Sequence, residues 1–263
     1  MGEFKHKHSL GQNFLKDKKV LADIIDSVDV QEDDLIIEVG PGQGALTRYL
    51  KLFKANLLCF EVDTRVKKYL EKFEDDKTKV IYGDFLKVDI EEVTKDIKYN
   101  NLYVIANLPY YITTPIIEKM MNSNVDVKAM VLMVQNEVAD RLSANVGTKD
   151  YGAITVYLKY FYNVNKLFFV DRKCFEPAPN VDSAIIKLEK KEKLLEVNNR
   201  EFLFRLVREA FMMKRKNLRN NLRKYDLDKV AKVLSNYNLD LQARAEQVSL
   251  ECFVDLANEL ESK

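Results

Sequence analysis

The chain has 263 residues, 47% of them apolar and 32% charged, with a formal net charge of +1. This length suits one large domain, or one of average size with an appendage, and the apolar content is enough for a sizeable core. No run of about 18 apolar residues is present to span a membrane, and the polar stretch Met1–His8 has no signal-peptide core behind it, so a cytoplasmic protein is expected.

The three cysteines, Cys59, Cys174 and Cys252, are far apart and read as reduced thiols. Both histidines, His6 and His8, lie near the N-terminus, which argues against histidine catalysis and against a metal site. The first apolar helical stripe is Val20, Leu21, Ile24, Ile25 and Val28. Buried strands are predicted at 35–39, 56–62, 79–82, 102–106 and 128–134, with helices between them at 45–53, 64–73, 91–96 and 115–122. Thr114 is the predicted N-cap of the last helix, with Pro115 at its first position, where the missing N–H costs nothing. Alternation of this kind implies an α/β fold, a parallel sheet with helices on both faces.

After Gln135 the pattern changes. A helix at 137–144 leads through Gly147 and Gly152 into β-rich runs at 154–162 and 184–188, which imply an antiparallel edge. From Arg200 onward the chain reads as wholly helical. Falling apolar density and clustered charge put a domain boundary within 190–199, dividing an α/β domain at 1–190 from a small all-α domain at 191–263.

Gly40-Pro41-Gly42-Gln43-Gly44 directly follows the first predicted strand and opens a helix, where glycines permit a sharp turn and close approach to a ligand. The spacing is G-x-G-x-G, not the G-x-G-x-x-G of dinucleotide-binding proteins, so a nicotinamide oxidoreductase is disfavoured. Glu61 ends the second strand, where a carboxylate can accept from both ribose hydroxyls. Asp84 ends the third, where it can meet an adenine amino group; that second acid favours S-adenosylmethionine over NAD. Capping of the following helix is the plainer role open to either acid taken alone.

Asn107-Leu108-Pro109-Tyr110 follows the fourth strand. The exocyclic amine of adenine is a poor nucleophile because its lone pair is delocalised into the ring. Two acceptors, the Asn107 side-chain oxygen and the Leu108 carbonyl, can bond its hydrogens and favour a pyramidal, reactive nitrogen. Pro109 stiffens the turn, and Tyr110 can stack on a base flipped out of its helix. Acceptors fixed where charge develops stabilise such a transition state without a metal.

These motifs resemble those of the KsgA-type family of ribosomal RNA adenine dimethyltransferases, nearly end to end. The signatures are His8-Ser9-Leu10-Gly11-Gln12-Asn13-Phe14-Leu15, the glycine loop, the Asn107 to Tyr110 turn, the Phe175-Glu176-Pro177-Ala178-Pro179 run continuing through Ala184, and Arg215-Lys216-Asn217-Leu218-Arg219-Asn220-Asn221-Leu222. The resemblance implies a Rossmann-like class I methyltransferase domain with a mostly parallel sheet. It implies S-adenosylmethionine contacts at Asn13, Leu15, Gly40, Gly42, Glu61, Asp84 and Asn107, and a base sandwiched between Tyr110 and Phe175. The implied substrate is two neighbouring adenosines in a hairpin near the 3′ end of small-subunit (16S) rRNA, dimethylated in the immature 30S subunit by a monomeric enzyme. The sister group, the erythromycin-resistance methyltransferases, modifies one adenine of large-subunit rRNA and shares the Asn-x-Pro-Tyr and Phe-x-Pro-x-Pro motifs. Its glycine loop usually carries Ser or a similar residue where Pro41 stands here, which favours the small-subunit branch. Tyr111 stands where the family often has Asn. A non-catalytic assembly factor with the same fold is a further alternative; the intact glycine loop and Asn107 turn argue against it.

The charge is unevenly spread. Residues 187–224 hold 13 Lys and Arg against 5 Asp and Glu, whereas residues 225–263 hold 4 against 8. Lys214, Arg215, Lys216, Arg219 and Arg223 fall in one acid-free stretch. Arg208, Arg215, Arg219 and Arg223 would share a helical stripe beside an apolar one of Leu218 and Leu222, so one basic helix facing RNA phosphates is expected.

Overall fold

The computed structural model describes residues 13–261; of the His8 to Leu15 signature only its last three residues fall within them. In chain order the first elements are β1 (Phe14–Leu15), α1 (Lys18–Asp26), β2 (Leu35–Val39), α2 (Ala45–Leu50), β3 (Asn56–Glu61), α3 (Lys67–Leu70), β4 (Thr78–Tyr82), α4 (Ile90–Thr94), β5 (Leu102–Asn107), α5 (Thr113–Asn122) and β6 (Val127–Gln135). There follow α6 (Asn136–Ser143), α7 (Ala153–Phe161), β7 (Tyr162–Val170), β8 (Phe175–Glu176), β9 (Ser183–Lys190), α8 (Arg200–Ala210), α9 (Leu218–Asn221), α10 (Leu227–Ser235) and α11 (Leu250–Glu261). Two compact units result: one runs to Ala139 and resumes over Asn165–Glu189, the other comprises Asp140–Val164 and everything from Lys190.

In the first unit the sheet order is β4-β3-β2-β5-β6-β9, and β7 follows β9 at the edge. The pairs β2·β3, β3·β4, β2·β5 and β5·β6 are parallel, and β6·β9 is antiparallel. The expected parallel sheet with an antiparallel edge is present. All five residues of β2 are buried, as befits a strand covered on both faces. The chain leaves β2 toward β3 and β4, then returns to β5 on the other side. That reversal opens a crevice at the carboxyl ends of β2 and β5, the usual ligand site of an open α/β sheet. The α1 stripe is buried at Leu21 and Ile24, in the same apolar cluster as Ile36, Leu57 and Tyr103.

Three local expectations need correction. The run 154–162 is not a strand: Ala153–Phe161 is helix α7, opened by Gly152, whose N–H donates to Thr155 Oγ1 at 3.2 Å. An apolar run of this length is ambiguous by periodicity, and Val156, Leu158 and Tyr160 all find a core. The strand comes next, in β7, whose residues alternate between covered and exposed. Helix α5 starts at Thr113, making Pro115 its third residue rather than its first. The proline still costs nothing there, because the first turn has no intrahelical partners for its N–H groups.

The third correction concerns the basic segment, which is not one helix. α8 ends at Ala210, residues 211–217 form turns, and α9 is a single turn of four residues. Asn217 caps it by accepting from Asn220 N, and buried Leu218 and Leu222 anchor the segment. Turns bring the cations to one stretch of surface where a helix was expected.

The second unit has its own core, centred on Leu203, Leu206 and Val207 of α8, Val230 and Leu234 of α10, and Phe253 and Leu256 of α11, with Val156 and Tyr160 of α7. α8 shows why it folds so: Phe202, Leu203, Leu206, Val207 and Ala210 recur on one helical face, and Asn199 caps the start by accepting from Phe202 N at 3.0 Å.

Candidate active site

A cavity of about 280 Å³ lies in the first unit, at the carboxyl ends of β2 to β5. Asn13, Leu15, Gly40, Gly42, Glu61 and Asp84 all line it, and so do Asn107, Leu108, Pro109, Tyr110 and Phe175. Every residue expected to hold the cofactor or the reacting base therefore meets in one place. The pairing of β1 with β8, Phe14 opposite Glu176 and Leu15 opposite Phe175, brings Leu15 and Phe175 there from opposite parts of the chain.

The glycine loop takes backbone conformations that side chains rarely adopt: φ is +73° at Gly40, +57° at Gly42 and +82° at Gly44. A Cβ on Gly42 would stand 2.7 Å from Phe14 Cε1, and one on Gly44 only 2.3 Å from Phe73 Cε2. Sterics thus demand glycine at both positions, independent of any ligand.

Glu61 is buried, yet its carboxylate accepts from two main-chain amides: Gly42 N at 2.9 Å and Asp63 N at 2.8 Å. Burial raises its proton affinity and these bonds oppose that rise. A carboxylate has about four acceptor positions, so Glu61 can still receive a pair of ligand hydroxyls. Asp84 both caps the turn Phe85–Lys87, accepting from Leu86 N at 3.0 Å, and faces the cavity. The plainer role and the functional one are therefore compatible. Lys119 of α5 holds the same turn from behind, donating to the Val88 carbonyl at 2.6 Å. The floor includes Phe60 and Phe85, which pack edge to face at 5.1 Å.

On the other side, Asn107 and the buried Leu108 leave β5 beside the glycine loop. A Cβ on Gly40 would lie 3.8 Å from Pro109 Cδ and 3.9 Å from the Asn107 carbonyl oxygen. Tyr110 is half-buried and its hydroxyl is within 2.9 Å of Ser183 Oγ, a fully buried group on β9. Burial pushes the Tyr110 phenol up, against the hydrogen bond to Ser183.

Sequence reasoning missed three residues here. Val62 and Leu86, each just past a strand-end acid, are 53% and 37% exposed, unusual for aliphatic side chains, and both line the cavity. Val62 is the last residue of the predicted buried strand 56–62, which in fact ends at Glu61, and Leu86 stands two residues past Asp84 in the turn that follows β4. Glu38, within the first predicted strand, is buried at the cavity wall. It accepts from Thr47 Oγ1 at 2.7 Å and from Cys59 Sγ at 3.4 Å. Burial pushes its carboxyl up to about 7.

In the second unit, Lys214, Arg215, Lys216, Arg219 and Arg223 are all exposed. Lys214 Nζ donates to the Lys149 carbonyl at 3.0 Å, and Asn221 Nδ2 donates to the Ala210 carbonyl at 2.6 Å, which fixes the turn that carries them. Lys224, in the same block, is instead paired with Glu209 at 2.6 Å. Among the described residues no cluster of three or more His, Cys, Asp or Glu is placed to hold a metal ion, and no helix is long and apolar enough to cross a membrane.

The cavity and its motifs have known counterparts. The family model for ribosomal RNA adenine dimethylase matches residues 3–262. The ribosomal RNA small subunit methyltransferase A of Listeria monocytogenes is 40% identical, over 97% of this chain and 90% of that protein. Its namesake from Clostridium acetobutylicum is also 40% identical, over 98% and 94%. Among solved structures, a dimethyladenosine transferase from Plasmodium falciparum superposes with a TM-score of 0.76 at 29% identity, covering 92% of this chain and 95% of that one. The 23S rRNA methyltransferase ErmE does so with 0.79 at 27%, covering 95% and 100%. This chain belongs to the ribosomal RNA adenine dimethylase family.

Proposed function

We propose that the protein transfers methyl groups from S-adenosylmethionine to the N6 amines of two adjacent adenosines in a hairpin near the 3′ end of 16S rRNA. The product is N6,N6-dimethyladenosine, made on the immature 30S subunit, in the cytoplasm, by a monomer. The observation that carries this reading is the convergence of the glycine loop, Glu61, Asp84, the Asn107 turn and Phe175 on one cavity. The similarity to small-subunit methyltransferases supports the choice of subunit.

When bound, S-adenosylmethionine supplies a methyl group on a positively charged sulfur. Glu61 accepts the ribose hydroxyls with the positions its amide partners leave free. Asp84 would receive the adenine amine of the cofactor, Val62 and Leu86 would supply apolar contact to it, and Asn13 and Leu15 would close the site. The target adenosine is flipped into the remaining space and stacks between Tyr110 and Phe175. Ser183 holds the Tyr110 ring in place through its hydroxyl. The Asn107 side-chain oxygen and the Leu108 carbonyl accept the amine hydrogens, drawing the nitrogen lone pair out of conjugation, and both sit on the rigid end of β5. An acceptor fixed before the reaction needs no reorganisation as charge develops. The division of labour is between the two units: catalysis falls to residues of the first, and RNA docking to Lys214, Arg215, Lys216, Arg219 and Arg223 of the second.

The test is methyl transfer from labelled S-adenosylmethionine to undermethylated small subunits, with large subunits in parallel, followed by mapping of the product. Dimethyladenosine at two adjacent small-subunit positions is expected. Label on a single large-subunit adenine would place the protein with the resistance enzymes. No transfer to either, with S-adenosylmethionine still bound, would favour an assembly factor.

A further inference from the structure

We propose that Tyr111 forms a second base-binding subsite at the mouth of the cavity, taking the purine next to the adenosine being methylated. This rests on the proposed function, in which the target is one of two neighbouring adenosines in RNA. Tyr110 and Tyr111 are consecutive residues in the single 3-10 turn Tyr110–Ile112 between β5 and α5, and both line the cavity. Their surroundings differ sharply. Tyr110 is half-buried and tied to Ser183, whereas Tyr111 is 60% exposed and packs against no other ring among the described residues.

The backbone beneath Tyr111 is fixed at both ends. Ile112 N donates to the Pro109 carbonyl at 3.1 Å, and Thr113, the first residue of α5, is buried. Tyr111 is thus a large flat group carried on an anchored turn. Tyr111 and Phe169 are the two aromatic residues among the large hydrophobics exposed on the described part of the chain. The proposed chemistry leaves Tyr111 unused: Asn107 and Leu108 accept the amine, Tyr110 and Phe175 take the target base, and Val62 and Leu86 face the cofactor.

A base inside the cavity is joined by one sugar and one phosphate to its neighbour, so that neighbour must lie at the rim. Flipping the target has also stripped the neighbour of a stacking partner on the side facing the enzyme. An exposed ring at the rim restores that contact. Stacking on an aromatic side chain tolerates any base and is worth roughly tenfold or more in affinity. It also suits a pair of targets. For one of the two adenosines, the neighbour can be the finished dimethyladenosine, whose amine carries no N–H. A hydrogen-bonding subsite would reject that group, whereas a stacking one accepts it.

The experiment compares wild type, Tyr111→Ala and Tyr111→Phe on undermethylated small subunits. It measures KM and kcat for the subunit, S-adenosylhomocysteine affinity, and the methylation state of each adenosine by mass spectrometry. Tyr111→Ala is expected to raise KM about tenfold, with kcat within about twofold and S-adenosylhomocysteine affinity unchanged, and to accumulate RNA modified at only one adenosine. Tyr111→Phe, which keeps the ring, is expected to behave as wild type. A wild-type KM in Tyr111→Ala, equal impairment in both variants, or a loss of S-adenosylhomocysteine affinity would each overturn the subsite. If wild type instead labels large subunits, the assigned substrate fails, and the same comparison on that RNA still decides the role of Tyr111.

Discussion

The main-chain amide of Gly42 donates to Glu61 Oε2 at 2.9 Å, joining the glycine loop after β2 to the acid that ends β3. The shape of the loop and the position of the Glu61 carboxylate, proposed to accept the ribose hydroxyls, are therefore a single structural fact. Removing the carboxylate also strips Asp63 N of its acceptor. Glu61→Ala is expected to weaken S-adenosylhomocysteine binding at least tenfold and to lower stability by about 1–3 kcal/mol, the cost of leaving buried amides unpaired. Calorimetric titration and urea unfolding measure the two effects; unchanged ligand affinity would refute the ribose role.

Gly44→Ala combines a left-handed backbone with a collision against the Phe73 ring. A loss of roughly 2–4 kcal/mol is expected from strain and overpacking together. Adding Phe73→Leu should recover part of it, the part due to the ring. No recovery would mean that backbone strain accounts for the whole loss.

Asn107→Ala deletes one of the two proposed amine acceptors, on a residue that lines the cavity and is not in the core. Turnover is expected to fall below detection while the unfolding midpoint stays close to wild type. Single-turnover methyl transfer to undermethylated small subunits is the measurement. A rate within about tenfold of wild type would remove Asn107 from the chemistry.

Glu38 gives the protein a distinctive pH dependence. Its carboxyl titrates near 4.5 when unfolded and about 7 when folded, because burial outweighs the bonds from Thr47 and Cys59. Between those values the folded state holds a proton that the unfolded state has released. Stability therefore falls as pH rises through this window, by about 3 kcal/mol in all, and levels off above 7. Glu61, raised for the same reason, adds in the same direction. Glu38→Gln should flatten most of the slope in urea midpoints between pH 5 and 7. A slope as steep as wild type in that variant would exclude Glu38 as its source.

Replacing Arg215, Arg219 and Arg223 together with Ala removes three exposed cations from the second unit. If each meets a phosphate, the slope of log affinity for RNA against log salt should shrink by about 2–3, at roughly 0.7–0.9 per contact. Weaker binding with an unchanged slope would mean that these residues act through folding.

The sheet and its loops were legible because buried parallel strands are short apolar runs, and because the glycines and acids at their ends stand out. The Asn107 turn was legible for the same reason: it directly follows such a run. Helix α7 was not, since Ile154, Val156 and two tyrosines favour strand locally and only their burial in the second unit decides for helix. Nor was the break in the basic segment, where Asn221 reaches back to the Ala210 carbonyl across a turn with no Gly or Pro to mark it. The cavity positions of Val62 and Leu86 were missed because solvent exposure of an apolar side chain leaves no periodic trace.

Phe14 and Leu15 precede their partners Glu176 and Phe175 by about 160 residues, a long loop to close for so short a ladder. On a ribosome the earlier strand emerges long before the later one exists. The nascent chain can lay down β2 to β6 in sequence, yet the wall that joins Leu15 to Phe175 waits for most of the first unit to be made. The crevice thus becomes a pocket only late in synthesis. A chain released before residue 175 would carry the glycine loop and both acids in an open cleft.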